Sequence, residues 1–229
     1  MRVVLILILT LISYHSILGQ DNTISEADNL YREDQFYFAI TYNLLGKMPE
    51  GMSQSGFSSG FHFGFIRDMP INKNRTIAFG LGLGYSTNSF NQNLLISEDE
   101  QGMLNYEILD NTSYTKNKFS MHLVEIPFEF RWRTSTAESY KFWRIYTGFK
   151  LGYVFATTSK FNSSQENIKL SNIDDFEMIQ YGLTLSVGYN TFNAYLYYVL
   201  NPIFKKEAKI NGESIDFNAI KIGLIFYIL

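Results

Sequence analysis

Two histidines lie beyond the opening apolar stretch, and each has a hydroxyl close by in sequence: Ser58 before His62 and Ser120 before His122. A hydroxyl nucleophile, an imidazole base and a carboxylate that orients the base perform acyl transfer when they stand within hydrogen-bond reach. Directed at an acyl chain, that set would make a lipid-modifying hydrolase. No spacing here brings nucleophile and base together, so the catalytic set is empty and the chain reads as non-enzymatic. The two histidines and the scattered carboxylates match no metal-ligand spacing. In "GLGLG", Gly80, Gly82 and Gly84 alternate with bulky residues, which is the spacing of a strand face and not of a phosphate-cradling loop. No cofactor and no metal are expected. The acidic "SEDE" at Ser97 to Glu100 reads as a solvated loop.

The charged residues carry more information. In "LVEIPFEFRWR", Glu125, Glu129, Arg131 and Arg133 fall on one face of an extended strand, and Val124, Ile126, Phe128, Phe130 and Trp132 fall on the other. Buried ions must be matched by counter-ions. Arg144, Lys150, Glu177 and Lys221 occupy comparable positions elsewhere, so the eight together are expected to form an interior charge network.

The elements that would hold such a network are strands. Eight stretches alternate with period two, and none carries a competing helical period. They are "QFYFAITYNL", "GFSSGFHFGFIR", "TIAFGLGLGYS", Lys118 to Arg133, "FWRIYTGFKLGYVFA", "FEMIQYGLTLSVGYN", "FNAYLYYVLNPIF" and "FNAIKIGLIFYIL". In the fourth, Phe119, Met121 and Leu123 are out of phase with Val124 onward, which predicts a bulge near Leu123 to Val124. Pro127 removes one ladder donor on the polar face.

Connections alternate between long and short, the pattern of an outer-membrane barrel with short turns at the end that holds both termini. The last stretch runs apolar to Leu229 and is expected to pair with the first, closing the cylinder. The fold expected is therefore all-β: an eight-stranded antiparallel up-and-down transmembrane β-barrel. A soluble periplasmic ligand-binding barrel would have the same strand count with its faces inverted. However, about five bulky groups per strand would overfill a narrow eight-stranded interior. Glycine, serine and threonine on the opposite face suit a crowded lumen.

Composition agrees: aromatics make up 17 % and charged residues only 18 % of 229 residues, against roughly 25 % charged in soluble domains. Residues 1–19 read as a signal peptide, with Arg2 preceding "VVLILILTLI". Residues 20–34 read as a periplasmic N-terminal segment and 35–229 as the barrel domain. There is no cysteine, so neither disulfides nor lipid attachment through cysteine apply. A net charge of -3 without a basic block gives nucleic acid no electrostatic footprint. The expected localisation is the cell outer membrane, with outer-membrane lipids as partners.

The block "LVEIPFEFRWRTSTAESYKFWRIYTGFKLGYVF", Leu123 to Phe155, resembles the PorT-type outer-membrane barrels common in Bacteroidetes. The resemblance rests on "EIP" followed by alternating apolar and basic residues, a short polar turn, and an aromatic strand with "GFKLGY". It marks Glu125, Pro127, Arg131 and Arg133 as family-motif positions of structural character. It also implies an accessory part in type IX protein secretion and gliding, with secretion-complex proteins as partners, and it brings no catalytic residues.

Overall fold

The computed structural model describes residues 32–110, 113–135 and 142–228. The expected signal peptide, residues 20–31 of the N-terminal segment and most of the turn after Arg133 lie outside these described residues. Among the described residues thirteen strands are formed: β1 (Gln35–Gly46), β2 (Ser59–Pro70), β3 (Ile77–Asn91), β4 (Leu94–Glu98), β5 (Leu104–Ile108), β6 (Lys116–Arg133), β7 (Trp143–Asn162), β8 (Asn167–Ser171), β9 (Ile179–Tyr189), β10 (Phe192–Val199), β11 (Lys209–Ile210), β12 (Glu213–Ser214) and β13 (Asn218–Ile228). Eight of them close a ring in the order β6-β3-β2-β1-β13-β10-β9-β7, and β7 pairs back onto β6. The seam is an antiparallel β1–β13 ladder running from Phe36↔Ile228 to Gly46↔Asn218. Full closure leaves no edge strand around the cylinder.

Sidedness follows the parity of the sequence. Leu83 is 63 % exposed and Leu224 45 %, whereas Glu125, Arg131 and Arg133 are 0 % exposed. Had β6 slipped by one residue, its four charges would stand on the apolar exterior. Short turns join β2 to β3 and β9 to β10 at the end where β1 begins and β13 ends, and β6 ends and β7 begins at that same end. The tightest turns at Asn190, whose φ of 56 suits asparagine. At the opposite end, three of the four longer connections carry small strands of their own.

Pro127 interrupts the β3–β6 ladder, whose pairs run Leu81↔Phe128 and then Gly84↔Glu125. The pairing with β7 is intact there, as Pro127↔Lys150. A strand has two hydrogen-bonding edges, and the missing N–H is lost only on the β3 side.

One expectation needs correction. The register does shift between His122 and Leu123, but the extra residue is on β7, where the partners jump from Ala156 to Val154 and leave out Phe155. Strand β6 keeps one phase throughout, so Phe119, Met121 and Leu123 point into the lumen with Glu125. Their apolar character changes because the lumen changes character toward the loop end. Residues 89–117 do more than extend the neighbouring strands. Strand β3 continues to Asn91 and β6 starts at Lys116, and between them β4 and β5 form a separate hairpin from Leu94↔Ile108 to Glu98↔Leu104. Leu94 and Ile96 are buried at 0 % exposure, so their apolar surface draws the hairpin over the loop end.

Candidate functional site

The lumen holds three layers of side chains, each built by strands that lie far apart in sequence. The middle layer centres on Glu125 of β6. Its neighbours on the two adjoining strands are Gly84 and Gly152, and those of Glu129 are Gly80 and Gly148. At Gly84 an added Cβ would meet the Tyr37 ring and at Gly152 the Leu123 side chain, so these glycines make room for the side chains packed beside Glu125. At Gly80 an added Cβ would lie 2.7 Å from the Arg131 Nε, so this glycine also makes space for the guanidinium.

Around Glu125, Lys150 Nζ donates to Oε2 at 2.9 Å and Ser86 Oγ donates to Oε1 at 2.8 Å. His62 Nδ1 stands 3.2 Å from both carboxylate oxygens. The Lys150 ammonium also lies 5.2 to 5.7 Å from the ring centres of Tyr37, Tyr195 and Tyr197. Lys221 is buried in the same layer with its ammonium 5.0 Å from the Tyr197 ring centre, and it makes none of the described ion pairs.

This layer has the outline of a hydroxyl–imidazole–carboxylate set, since Thr41 Oγ1 lies 3.5 Å from His62 Nε2. The hydroxyl is committed elsewhere, donating to Asn43 Oδ1 at 2.8 Å. Glu125 is neutralised by Lys150, and Thr41, His62 and Glu125 are all buried. The second histidine is on the outer face, where His122 Nδ1 is 2.6 Å from the Tyr85 hydroxyl. Ser120 instead bonds Ser89 at 3.2 Å. Neither histidine is paired with the serine next to it in sequence.

The layer at the turn end is held by Asp68, which lies one residue past the second alternating stretch read from the sequence and within β2. Its two oxygens accept from Arg133 Nη1 and Nη2 at 2.8 and 2.7 Å, and Oδ1 also accepts from Arg131 Nη1 at 3.1 Å. Arg131 Nε donates to Glu129 at 3.0 Å. Glu33, from the segment before β1, is buried here: its carboxylate lies 3.7 Å from Arg133 and accepts from Gln35 and Tyr146. Arg144 stacks over Phe142 at 4.4 Å. A two-pronged guanidinium–carboxylate pair fits the planar geometry of both groups, which makes it the strong form of such a contact.

Of the eight residues expected in one network, Glu125 and Lys150 therefore share one layer with Lys221 nearby. Glu129, Arg131 and Arg133 form the other, with Arg144 beside it. Glu177 belongs to neither: it precedes β9 at the loop end, half-buried, with its carboxylate in none of the described ion pairs. Sequence reasoning missed Asp68 and Glu33 as counter-ions. The available signal was that Asp68 shares the inward parity of His62 in β2.

The third layer, toward the loops, is apolar. Phe119 packs against Phe176, Phe204 and Phe217 with ring centres 5.5 to 6.3 Å apart, and Phe176 and Phe204 are 4.4 Å apart. Phe90, Met121, Leu94 and Ile96 join the same cluster. Tyr106 of the hairpin lies edge-on to Phe204 and donates its hydroxyl to Asp175 at 2.7 Å, tying two loops together. Burial, and then that carboxylate, push the Tyr106 phenol well above its ordinary value. Among the described residues, no group of three histidines or carboxylates is placed to hold a metal ion.

The family described as outer membrane protein beta-barrel domain matches residues 19–205. Among solved structures, the chain is similar to Ail, the attachment invasion locus protein of Yersinia pestis, at 12 % identity and a TM-score of 0.36, covering 87 % of this chain and 100 % of that one. It is also similar to Ail in complex with the heparin analogue sucrose octasulfate, at 11 % identity and a TM-score of 0.37, covering 86 % and 99 %. A mutant of the Rh. blastica porin follows at 8 % identity and a TM-score of 0.21, covering 86 % and 100 %. No curated protein matches the chain.

Proposed function

This chain belongs to the outer membrane protein beta-barrel domain family, and from that premise we propose that it acts as a sealed, non-enzymatic barrel whose loop end makes contacts outside the cell. It is an integral β-barrel protein of the outer membrane, so its apolar exterior is the face that meets lipid. The observation that carries the proposal is the stacking of the three lumen layers. Large side chains at 0 to 1 % exposure, among them Arg131, Arg133, Tyr146, Tyr197, Phe119, Phe204 and Phe217, fill successive levels of the cylinder. An eight-stranded interior is just wide enough for its own side chains. With short turns and both termini in the periplasm, the β4–β5 hairpin, the β8 segment and the β11–β12 hairpin stand outside the cell as a folded cap.

The buried Thr41–His62–Glu125 arrangement supports a structural role, because no acyl group reaches it without displacing the cap or the wall. Single-channel recording on the full barrel in a planar bilayer tests the seal. The outcome expected is no steady conductance, and an open ohmic current of porin size would refute it.

The resemblance of Leu123 to Phe155 to PorT-type barrels of Bacteroidetes extends the proposal to an accessory place in type IX secretion, with secretion-complex proteins bound at the loop end. Capture of the native protein from mildly solubilised outer membranes is expected to bring such proteins with it. Export that is unchanged on deletion, together with the absence of any co-purifying partner, would remove this extension.

A further inference from the structure

Above the apolar belt, the outward faces of three neighbouring strands carry a row of lysines. Lys118 of β6 is the cross-strand partner of Lys160 of β7, and Lys160 is in turn the partner of Lys169 of β8. Lys116 lies two residues further along the same face of β6. Like charges placed directly opposite each other across a ladder repel. Here three stand side by side, and none of the four lysines makes any of the described ion pairs. The next residue in the row, on β3, is Asn91, which is neutral.

Beside the row lies a groove of 290 Å³ whose lining includes the hydroxyls of Thr87, Ser89, Ser120 and Thr158 together with Lys118 and Lys160. No carboxylate lines it. A concave surface of hydroxyls and ammonium groups is complementary to an oxyanion with several acceptor oxygens.

The height of the row identifies the anion. At ~3.4 Å per residue and ~40° of tilt, β6 climbs about 21 Å between Trp132 and Val124, close to the apolar band of such barrels, about 25 Å. Lys118 stands about 16 Å above Val124 and about 10 Å above His122 by the same geometry. Its stem can bend back toward the belt while the ammonium stays in the polar layer. That is the level of the lipid headgroups and first sugars.

We propose that the Lys118–Lys160–Lys169 row and its hydroxyl groove form a binding site for the phosphate groups of a phosphorylated glycolipid of the outer leaflet. The acyl chains would lie along the aromatic wall below, where the rings of Tyr85, His122 and Phe155 cluster on the outer face with centres 6.1 to 6.2 Å apart. This rests on the orientation given under Proposed function, with the loops outside the cell.

The test uses the full barrel in phosphatidylcholine nanodiscs doped with bisphosphorylated lipid A or with its dephosphorylated form, and reads retained glycolipid by native mass spectrometry. The wild-type protein should retain the bisphosphorylated lipid at least tenfold better than the dephosphorylated one. The combined variant Lys118→Ser, Lys160→Ser, Lys169→Ser, shown to be folded by heat-modifiable gel mobility, should abolish that preference. Equal retention of the two lipids by the wild type would overturn the site without recourse to any variant. Undiminished preference in the triple variant, or displacement of the lipid by equimolar inorganic pyrophosphate, would overturn it as well. The orientation is read separately, by labelling a Gly102→Cys variant on intact cells with a membrane-impermeant thiol reagent. Absence of label would refute the orientation while leaving the nanodisc result to stand or fall by itself.

Discussion

Lys150 and Glu125 meet at 2.9 Å inside a cylinder where each is at most 4 % exposed. The two residues come from neighbouring strands, yet they are not direct cross-strand partners: Glu125 faces Gly152, and Lys150 faces Pro127. The pair therefore runs diagonally across the inner wall, from β6 to β7.

Removing one member of this pair should be costly. Glu125→Gln leaves the Lys150 ammonium buried without its counter-ion, for which a loss of about 3 to 5 kcal/mol is expected. Replacing both, as Glu125→Leu with Lys150→Met, removes the buried charges together and should cost far less. Urea titration of the folded barrel in lipid vesicles measures the difference. Equal losses in the single and double variants would show that the ion pair is not what holds this layer.

Asp68→Asn is expected to disturb the turn end of the lumen more than its conservative chemistry implies. Two guanidinium groups lean on that carboxylate, and hydrogen bonds to charged groups contribute about 1.5 to 3 kcal/mol each. Glu33→Gln should be milder, because its contact with Arg133 is longer, at 3.7 Å. The ratio of the two effects in the same unfolding assay checks this order.

Phe204→Ala should loosen the cap. The ring touches Phe119, Phe176, Phe217 and Tyr106, so a cavity in the apolar layer is expected to cost about 3 to 5 kcal/mol. The same variant should admit brief conductance bursts in a planar bilayer if this layer is the seal. A destabilised barrel that remained electrically silent would assign the seal to the charged layers instead.

Leu224→Arg tests which face meets lipid. On the exterior near the bilayer midplane, arginine should reduce stability by about 2 to 4 kcal/mol. A neutral effect at Leu224 would mean that this surface is in water, contrary to the placement of the barrel in the membrane.

The alternation of side chains was legible because strand parity is a local property, repeating every second residue whatever the rest of the chain does. It gave the eight strands, their inward and outward sets, and the inward placement of Glu125, Glu129, Arg131 and Arg133. The same locality explains the failure at Phe119, Met121 and Leu123. Parity assigns a side chain to a face, and the character of the space beyond that face is set by loops that return from elsewhere in the chain.

What the sequence determined by itself was the closed antiparallel cylinder and its sidedness, because a period-two pattern with one oily face has few other ways to satisfy its backbone in a membrane. Only the tertiary structure decided which charges meet. Asp68 and Arg133 are 65 residues apart in the chain and His62 and Glu125 are 63, and such pairs come together through the stagger of strands around the barrel, which no short stretch encodes. The tertiary structure likewise placed the extra residue of the bulge on β7, joined three lysines into one row, and turned an apolar loop hairpin into a lid. Each of these depends on register between strands, a property of pairs of segments that a single strand does not carry.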